Sequence, residues 1–148
     1  MAEISALAND GTERNLSLSN GTNANRVSWW FTATNSLAVA VYSGGSLQYF
    51  TNLSIGIATN SNKISFKYKQ NDFALWVNGF EIATDTSGIT PVGLSELAFD
   101  RADSALPFYG KTKQLQYFDS ALADTQLEQL TSWQSFRDMA NGQLYTIE

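Results

Sequence analysis

The sequence predicts an all-β fold, a sandwich of two antiparallel sheets with one short helix near the C-terminus. Many short segments alternate apolar and polar residues, which is the period of a half-buried strand. Asn, Gly, Asp and Ser, the residues of turns, separate these segments. A helical pattern with a start signal occurs in one stretch near the C-terminus. No repeat or linker divides the chain, so residues 1–148 are expected to form a single domain with its own core.

Composition excludes several classes of function. The 148 residues include no Cys and no His. Disulfides, thiolate sites, the usual zinc sites and nucleophile–histidine catalytic devices are therefore ruled out. A net charge of −5 argues against a nucleic-acid partner, because such partners require a basic surface. The sequence has no apolar run of about 18 residues and no visible signal peptide, so membrane insertion is not expected.

The strands follow one another along most of the chain, each bounded by a turn signal such as Asn20-Gly21 or Gly44-Gly45. The alternation of apolar and polar residues identifies the segments that are predicted to be strands. Their aromatic and β-branched residues favour strand over helix. The predicted strands, in order, are Ala2–Leu7, Asn15–Ser19, Arg26–Ala33, Leu37–Ser43, Ser46–Thr51, Lys63–Lys69, Phe73–Asn78, Phe80–Thr84, Leu94–Phe99, Gly110–Phe118 and Leu144–Ile147.

The register of three strands can be derived between residues 63 and 85. Apolar residues alternate in 63–69 and 73–77, so each strand turns one apolar face to the core. Asn78-Gly79 favours a two-residue type I′ hairpin, because that turn needs positive φ at both positions. Placing bulky apolar side chains of neighbouring strands on one face fixes their alignment. The predicted pairs are Tyr68 with Phe73, Phe66 with Leu75, Ile64 with Val77, Val77 with Phe80, Leu75 with Ile82, and Phe73 with Thr84.

The one predicted helix begins at Thr125. Thr125 and Glu128 have the spacing of a capping box, in which the threonine hydroxyl accepts from the Glu128 amide. Leu127 and Leu130 then share one face, which Trp133 continues. A single short helix among many strands must pack on the sandwich, because it cannot form a layer of its own.

The derived register also gives a candidate ligand-binding face around Trp76. Since Phe73, Leu75 and Val77 are predicted to point inward, Trp76 is predicted to point away from the core. An exposed indole stacks on the apolar face of a sugar ring while polar neighbours bond its hydroxyls. The alternative is that a loop, the C-terminal helix or another subunit covers this face. The predicted ligand-binding residues are Trp76, Ser65, Lys63, Lys67 and Glu81.

A second outward aromatic is expected in the strand that contains Trp29 and Trp30. Adjacent strand residues point to opposite faces, so the two indoles cannot both face the core. Whichever points outward has the same two interpretations, ligand contact or coverage by another part of the structure.

Acidic residues offer little catalytic potential. A glycoside hydrolase needs two carboxyl groups about 5 to 9 Å apart. Glu81, Glu96 and Glu128 are isolated in the sequence, so enzymatic activity is not expected. Asp100 and Asp103 could supply oxygen ligands for calcium. The alternative is that such Asp residues cap turns and keep loops soluble.

Three segments together resemble a known family. Residues 63–79 contain two paired strands ending in Val77-Asn78-Gly79, a late strand begins at Gly110, and residues 121–130 form a closing Ala-Leu-x-Asp helix. In this order they resemble the concanavalin A-like/laminin-G-like lectin family, whose fold is a jelly-roll sandwich. Residues 16–27 and the ending 139–148 resemble the variant found in bacteriophage tail-fibre and virion proteins.

The resemblance implies a non-catalytic recognition domain at the surface of a phage particle, where it binds glycans of the host cell. The alternative is a structural virion module, such as a capsid decoration or fibre-tip protein, that contacts other virion subunits without binding glycan. Phage fibres are commonly trimers, so a homo-oligomer is also implied. A surface rich in aromatic, Ser, Thr and Asn residues suits weak binding that many copies strengthen.

Overall fold

The computed structural model describes residues 1–143, which form two five-stranded antiparallel sheets and two short helices. The predicted two-sheet sandwich is confirmed, and the predicted strand Leu144–Ile147 lies outside the described residues. The elements are β1 (Ala2–Ala6), β2 (Arg14–Ser19), β3 (Arg26–Phe31), β4 (Leu37–Ser43), β5 (Ser46–Leu53), β6 (Asn62–Lys69), β7 (Asp72–Val77), β8 (Phe80–Asp85), β9 (Glu96–Ala98), β10 (Gly110–Leu115), α1 (Asp124–Thr131) and α2 (Phe136–Gly142).

Each sheet combines strands from distant parts of the chain. Sheet I has the order β10-β1-β6-β7-β8, and sheet II has the order β5-β4-β3-β2-β9. Long connections place β10 beside β1 and β9 beside β2, so hairpins alone do not build either sheet. Every predicted strand before residue 120 overlaps an observed one.

The core lies between the sheets and consists of alternate residues of their strands. Burying an aliphatic or phenyl side chain of this kind stabilises the fold by about 1.5–3 kcal/mol. Tyr49 of sheet II stacks on Phe73 of sheet I with ring centroids 5.6 Å apart, which joins the two layers. The larger buried apolar residues are Ile4, Leu16, Val27, Phe31, Leu37, Val39, Val41, Tyr49, Ile64, Phe73, Leu75 and Val77.

The predicted register is correct between β6 and β7 and partly wrong between β7 and β8. All three predicted β6–β7 pairs occur, and Val77 pairs with Phe80 as expected. The predicted partners of Leu75 and Phe73, Ile82 and Thr84, are wrong, because Ile82 forms a β-bulge. The bulge leaves Ile82 41% exposed and places the small Ala83 opposite Leu75, where it packs against the core.

The expectation of a single helix is also wrong. Helix α1 begins at Asp124, and the backbone N–H of Ala123 donates to Oε1 of Gln126 over 3.0 Å, so the predicted Thr125 capping box does not form. Helix α2 follows, and Oγ of Ser135 caps it by accepting from the Asp138 amide over 3.1 Å. Among the described residues, no helix has the length and apolar character needed to cross a membrane.

Arg14 is a buried charge at the start of β2. It is 2% exposed, and its guanidinium donates to the Tyr109 carbonyl at 2.7 Å, the Thr12 carbonyl at 2.6 Å and the Asp10 carboxylate at 2.7 Å. These bonds to the buried cation offset its desolvation. The Arg14 hydrogen bond, followed by the Thr12 amide, lowers the pKa of Asp10 to about 2.

Candidate functional site

The side chain of Trp76 points in the predicted direction, but it is not exposed as predicted. Trp76 points away from the core between the sheets, but it is 8% exposed because α1 covers this face of sheet I. Its ring packs with Ala74, Leu127 and Leu122 in a second apolar cluster. The alternative weighed for this face, coverage by the C-terminal helix, is confirmed. A sugar ring has no access to this indole while α1 is in place.

Two of the four polar neighbours predicted with Trp76, Lys63 and Lys67, hold the helical region to sheet I. Ser65 is 3% exposed, and Nζ of Lys63 donates to the Ser132 carbonyl at 3.1 Å and lies 4.6 Å from the centre of the Trp133 ring. Glu81, opposite Trp76 on β8, is exposed. Trp76, Ser65, Lys63 and Glu81 therefore do not form a common accessible surface.

Lys67, the fifth predicted residue, connects β6 to β7 and α1. Its Nζ lies 2.8 Å from Oδ1 of Asp72 and 2.9 Å from Oδ1 of Asp124. Burial lowers the pKa of Lys67, but the hydrogen bonds to the two carboxylates outweigh burial and raise it above its usual value. Lys67 therefore stays charged and is already paired with two carboxylates. These ion pairs explain its position without a bound ligand.

The predicted calcium ligands have other partners. The Asp100 carboxylate accepts from the Ala102 amide at 2.8 Å, which is a turn cap. The Asp103 carboxylate accepts from the Arg101 guanidinium at 2.7 Å and the Asn23 amide at 2.6 Å. Within residues 1–143, no group of three or more acidic residues is arranged to hold a metal ion. Asp103 also accepts from the Ala105 amide at 3.1 Å, so the alternative that these residues cap turns accounts for both of them.

A different surface, the outer face of sheet II, combines aromatic, polar and charged groups. Leu16, Val27 and Val39 point into the core, so the residues that alternate with them point away from it. Ser17 and Ser28 face each other across β2 and β3, and Ala40 follows on β4. We define the outer face of sheet II by the residues Asn15, Ser17, Arg26, Ser28, Trp30, Ala38, Ala40, Tyr42 and Phe50.

Trp30 and Phe50 form an aromatic ridge on this face. They lie on β3 and β5, which are about 9.6 Å apart because β4 runs between them. Their ring centroids are 6.3 Å apart, so the rings lean towards each other over β4. The alanines there, Ala38 and Ala40, are at most 2% exposed. Phe50 remains 54% exposed, which leaves an accessible aromatic surface.

Beside this ridge lies a polar cluster built from three parts of the chain. Arg26 of β3 lies 4.0 Å from the centre of the Tyr42 ring, and one of its terminal nitrogens donates to the Asn23 carbonyl. The Asn23 amide donates to Asp103, which also holds Arg101, so the β2–β3 and β9–β10 loops are joined. The pKa of Arg26 is lowered, mainly because the side chain is partly buried. The positive charge of Arg101 lowers it further, and the negative charge of Asp103 raises it.

Several polar atoms of this face and its border have no hydrogen-bond partner although they are buried. They are Nδ2 of Asn15, Oγ of Ser17, Oδ1 of Asn23 and Nε of Arg26. A buried polar group without a partner costs about 1–3 kcal/mol, so such groups are rare and call for a specific explanation. Asn15 and Ser17 are 2% and 0% exposed, so a ligand reaches neither of them; Asn23 and Arg26 are half-buried and border the accessible part of this face.

Sequence reasoning found one part of this site and missed the rest. The adjacent Trp29 and Trp30 predicted one outward indole, and the structure shows that it is Trp30. The polar cluster depends on a contact between Asn23 and Asp103, which are 80 residues apart. No local pattern signals that contact.

The comparisons with known proteins concern the fold. No family model matches the sequence, and no curated protein matches it. The chain is similar in structure to the CBM40 module of the Ruminococcus gnavus IT-sialidase, with a TM-score of 0.71, 19% sequence identity, and 88% of this chain and 80% of that chain covered. The same module bound to α2,3-sialyllactose gives a TM-score of 0.70, 19% identity and coverages of 88% and 79%. Bound to α2,6-sialyllactose, it gives 0.69, 18% identity and coverages of 88% and 80%.

Proposed function

We propose that this protein is a non-catalytic glycan-recognition domain that binds its ligand on the outer face of sheet II. The observation that carries the proposal is the aromatic ridge of Trp30 and Phe50, with Phe50 54% exposed, beside the half-buried Arg26. An aromatic surface packs on the C–H face of a sugar, and fixed donors and acceptors then select among its hydroxyls. That combination suits binding and includes no pair of carboxylates set for hydrolysis.

The charge of the site favours an acidic glycan. Arg26 is half-buried and is held in place by Asn23 and Tyr42. A guanidinium binds a carboxylate through parallel hydrogen bonds, which are stronger than bonds between neutral groups. The module of similar fold binds α2,3- and α2,6-sialyllactose, whose sialic acid carries a carboxylate. A sialylated oligosaccharide is therefore the ligand class that we propose.

We further propose that the domain is displayed on the surface of a phage particle and contacts glycans of the host cell. The support is the sequence resemblance to tail-fibre and virion proteins. A shallow face with one aromatic ridge gives weak binding per domain, and display of many copies converts this into firm attachment through avidity.

A structural virion module is the second candidate function, and exposed apolar residues favour it. Phe80 and Phe136 are 71% and 69% exposed, and Ile82 lies next to Phe80 on the edge strand β8. Large exposed apolar side chains on an edge strand are typical of subunit contacts. In this case Phe80, and not Phe50, would contact the neighbouring virion subunits.

The experiment compares two matched phenylalanine substitutions, Phe50→Ala on sheet II and Phe80→Ala on sheet I. Binding to polyvalent sialyllactose is measured by biolayer interferometry, and oligomer mass by sedimentation. We expect Phe50→Ala to weaken binding about tenfold, the loss of about 1.4 kcal/mol, and Phe80→Ala to leave it unchanged. Arg26→Gln should remove the preference for sialyllactose over lactose.

Equal binding by wild type and both Phe50→Ala and Arg26→Gln would refute the glycan site on sheet II. A loss of oligomer mass in Phe80→Ala, with no glycan binding by the wild type, would favour the structural module instead.

A further inference from the structure

A second site, separate from the outer face of sheet II, lies at the edge of the sandwich. A cavity of about 410 Å³ opens there between β6 of sheet I and β9, the last strand of sheet II, and residues 115–122 border it. The pairing of β1 with β6 ends at Ala2 and Ile64, so β6 continues past β1, and this part of β6 lines the cavity. Cavities of roughly 300–1,000 Å³ are typical of small-molecule sites.

Aromatic side chains form much of the wall and remain partly accessible. Phe66 and Tyr68 of β6 stack with ring centroids 6.4 Å apart. Burial is the main reason why the pKa of Tyr68 is raised, and the nearby hydroxyl of Tyr117 raises it further, so the two tyrosine hydroxyls are close together. Tyr117 and Phe118 are 63% and 40% exposed, and Phe66, Tyr68 and Trp29 are half-buried. A ligand in the cavity therefore meets several aromatic rings.

The two positive groups of the lining add little repulsion towards a cation. Nζ of Lys67 already has two carboxylate partners, Asp72 and Asp124, at 2.8 and 2.9 Å. The Met1 amino group donates to the Gln116 carbonyl at 2.8 Å, and burial lowers its pKa to about 6. At neutral pH the Met1 amino group is therefore mostly uncharged.

The two carboxylates of the lining are available to attract a cation. Glu96 lies on β9 and Asp119 on the segment that borders the cavity, and both side chains are exposed. Neither of them forms an ion pair with another residue in the part of the chain that the structure describes. A cleft with low-dielectric walls and charges of one sign concentrates solutes of the opposite charge. The electrostatics of the cavity therefore favour a cation and oppose an anion.

We propose that this cavity binds an organic cation with a quaternary ammonium group, which the aromatic wall contacts and the carboxylates of Glu96 and Asp119 attract. Aromatic rings attract a cation that lies over their faces, within about 6 Å of the ring centroid. A primary ammonium needs acceptors for three N–H groups, which ring faces supply poorly, whereas a quaternary ammonium has no N–H group. This site is independent of the proposed glycan site, because Trp29 packs against the core and Trp30 lies on the outer face of sheet II.

The test uses three probes of nearly the same shape on the wild-type chain: choline, its neutral analogue 3,3-dimethylbutan-1-ol, and the anion 3,3-dimethylbutanoate. Binding is followed by calorimetry and by the backbone amide signals of residues 116–122 in a ¹⁵N–¹H spectrum. We expect choline to bind with a Kd below about 5 mM and to shift those signals. The neutral analogue should bind about five- to thirtyfold more weakly, since carbon replaces the charged nitrogen, and the anion should not bind.

Matched substitutions separate the contribution of a ring from that of a charge. Tyr117→Leu should weaken choline binding about fivefold and leave binding of the neutral analogue unchanged, whereas Tyr117→Phe keeps the ring and should bind choline as the wild type does. Tyr109→Leu, at a similarly exposed tyrosine outside the lining, is the control and should leave choline binding unchanged. Glu96→Gln should weaken choline binding about threefold at low salt and less at high salt, because salt screens exposed charges. Glu81→Gln, outside the lining, is its control.

The comparison of the three probes on the wild type keeps the test informative where a variant is unstable. No binding of choline at about 20 mM would overturn the proposal. Equal binding of choline and its neutral analogue, or signal shifts confined to residues outside the cavity, would also overturn it.

Discussion

Replacing Trp76 with alanine should destabilise the protein substantially. The ring is 92% buried between β7 and α1, where Leu127 and Leu122 pack against it. Removal of a buried Trp typically lowers the free energy of unfolding by about 3–5 kcal/mol. For a chain of this length, each kcal/mol shifts the unfolding midpoint by about 3 °C, so Tm should fall by about 9–15 °C. A substitution at an exposed position changes stability by about 0.5 kcal/mol or less.

Thermal unfolding followed by circular dichroism measures this difference, and a double-mutant cycle locates its origin. Trp76→Ala and Leu127→Ala remove the two sides of the same contact, so their effects should be less than additive by about 0.5–3 kcal/mol. Trp30→Ala, on the opposite sheet, is the matched control and should add to Leu127→Ala without coupling. Glycan binding should survive Trp76→Ala, because the proposed site is on sheet II. A Tm decrease of less than about 2 °C, or strict additivity with Leu127→Ala, would refute the packing of α1 on this indole.

Two further predictions concern a turn and a buried charge. Asn78→Ala should lower the free energy of unfolding, measured in urea, by about 3 kcal/mol, because Asn78 has φ of 51° and its side chain bonds the Lys63 amide and the Asn62 side chain. Asn78→Gly should lower it less, because glycine adopts a positive φ without strain. Equal losses in the two variants would contradict the backbone contribution. Asp10→Asn should lower Tm at neutral pH. Since the folded-state pKa of Asp10 is about 2 and its usual value is 3.8, this stabilisation is complete above about pH 4 and is lost as the pH falls towards 2. The Tm difference between the wild type and Asp10→Asn, measured by calorimetry across this range, should therefore shrink, and a constant difference would contradict the ion pair with Arg14.

The strands could be predicted because their signals are local. Alternation of apolar residues identified each strand, and Asn78-Gly79 located a hairpin whose two residues both have positive φ. The bulge at Ile82 could not be predicted, because Phe80, Ile82 and Thr84 alternate as regularly as residues of an uninterrupted strand do. Its position depends on which side chain fits the core opposite Leu75, and that is a property of the packed sheets.

The site was harder to predict because it depends on coverage and on distant contacts. The direction of Trp76 followed from the strand period, but its exposure depended on where α1 docks. Leu127 is the residue of α1 that fills this face, and its pattern indicates only that the helix packs somewhere. The contact between Asn23 and Asp103 joins two loops with no shared signature. Periodicity therefore predicts which way a side chain points, but not what covers it.

The bulge in β8 also affects how the protein behaves at high concentration. As the last strand of sheet I, β8 has backbone N–H and C=O groups that a strand from another copy could pair with. The exposed side chains of Phe80 and Ile82 would add apolar contacts to that pairing. The extra residue interrupts the regular spacing of those groups and increases the local twist, so an incoming strand cannot match them over its length. Many copies could then be crowded side by side without fusing into a continuous sheet.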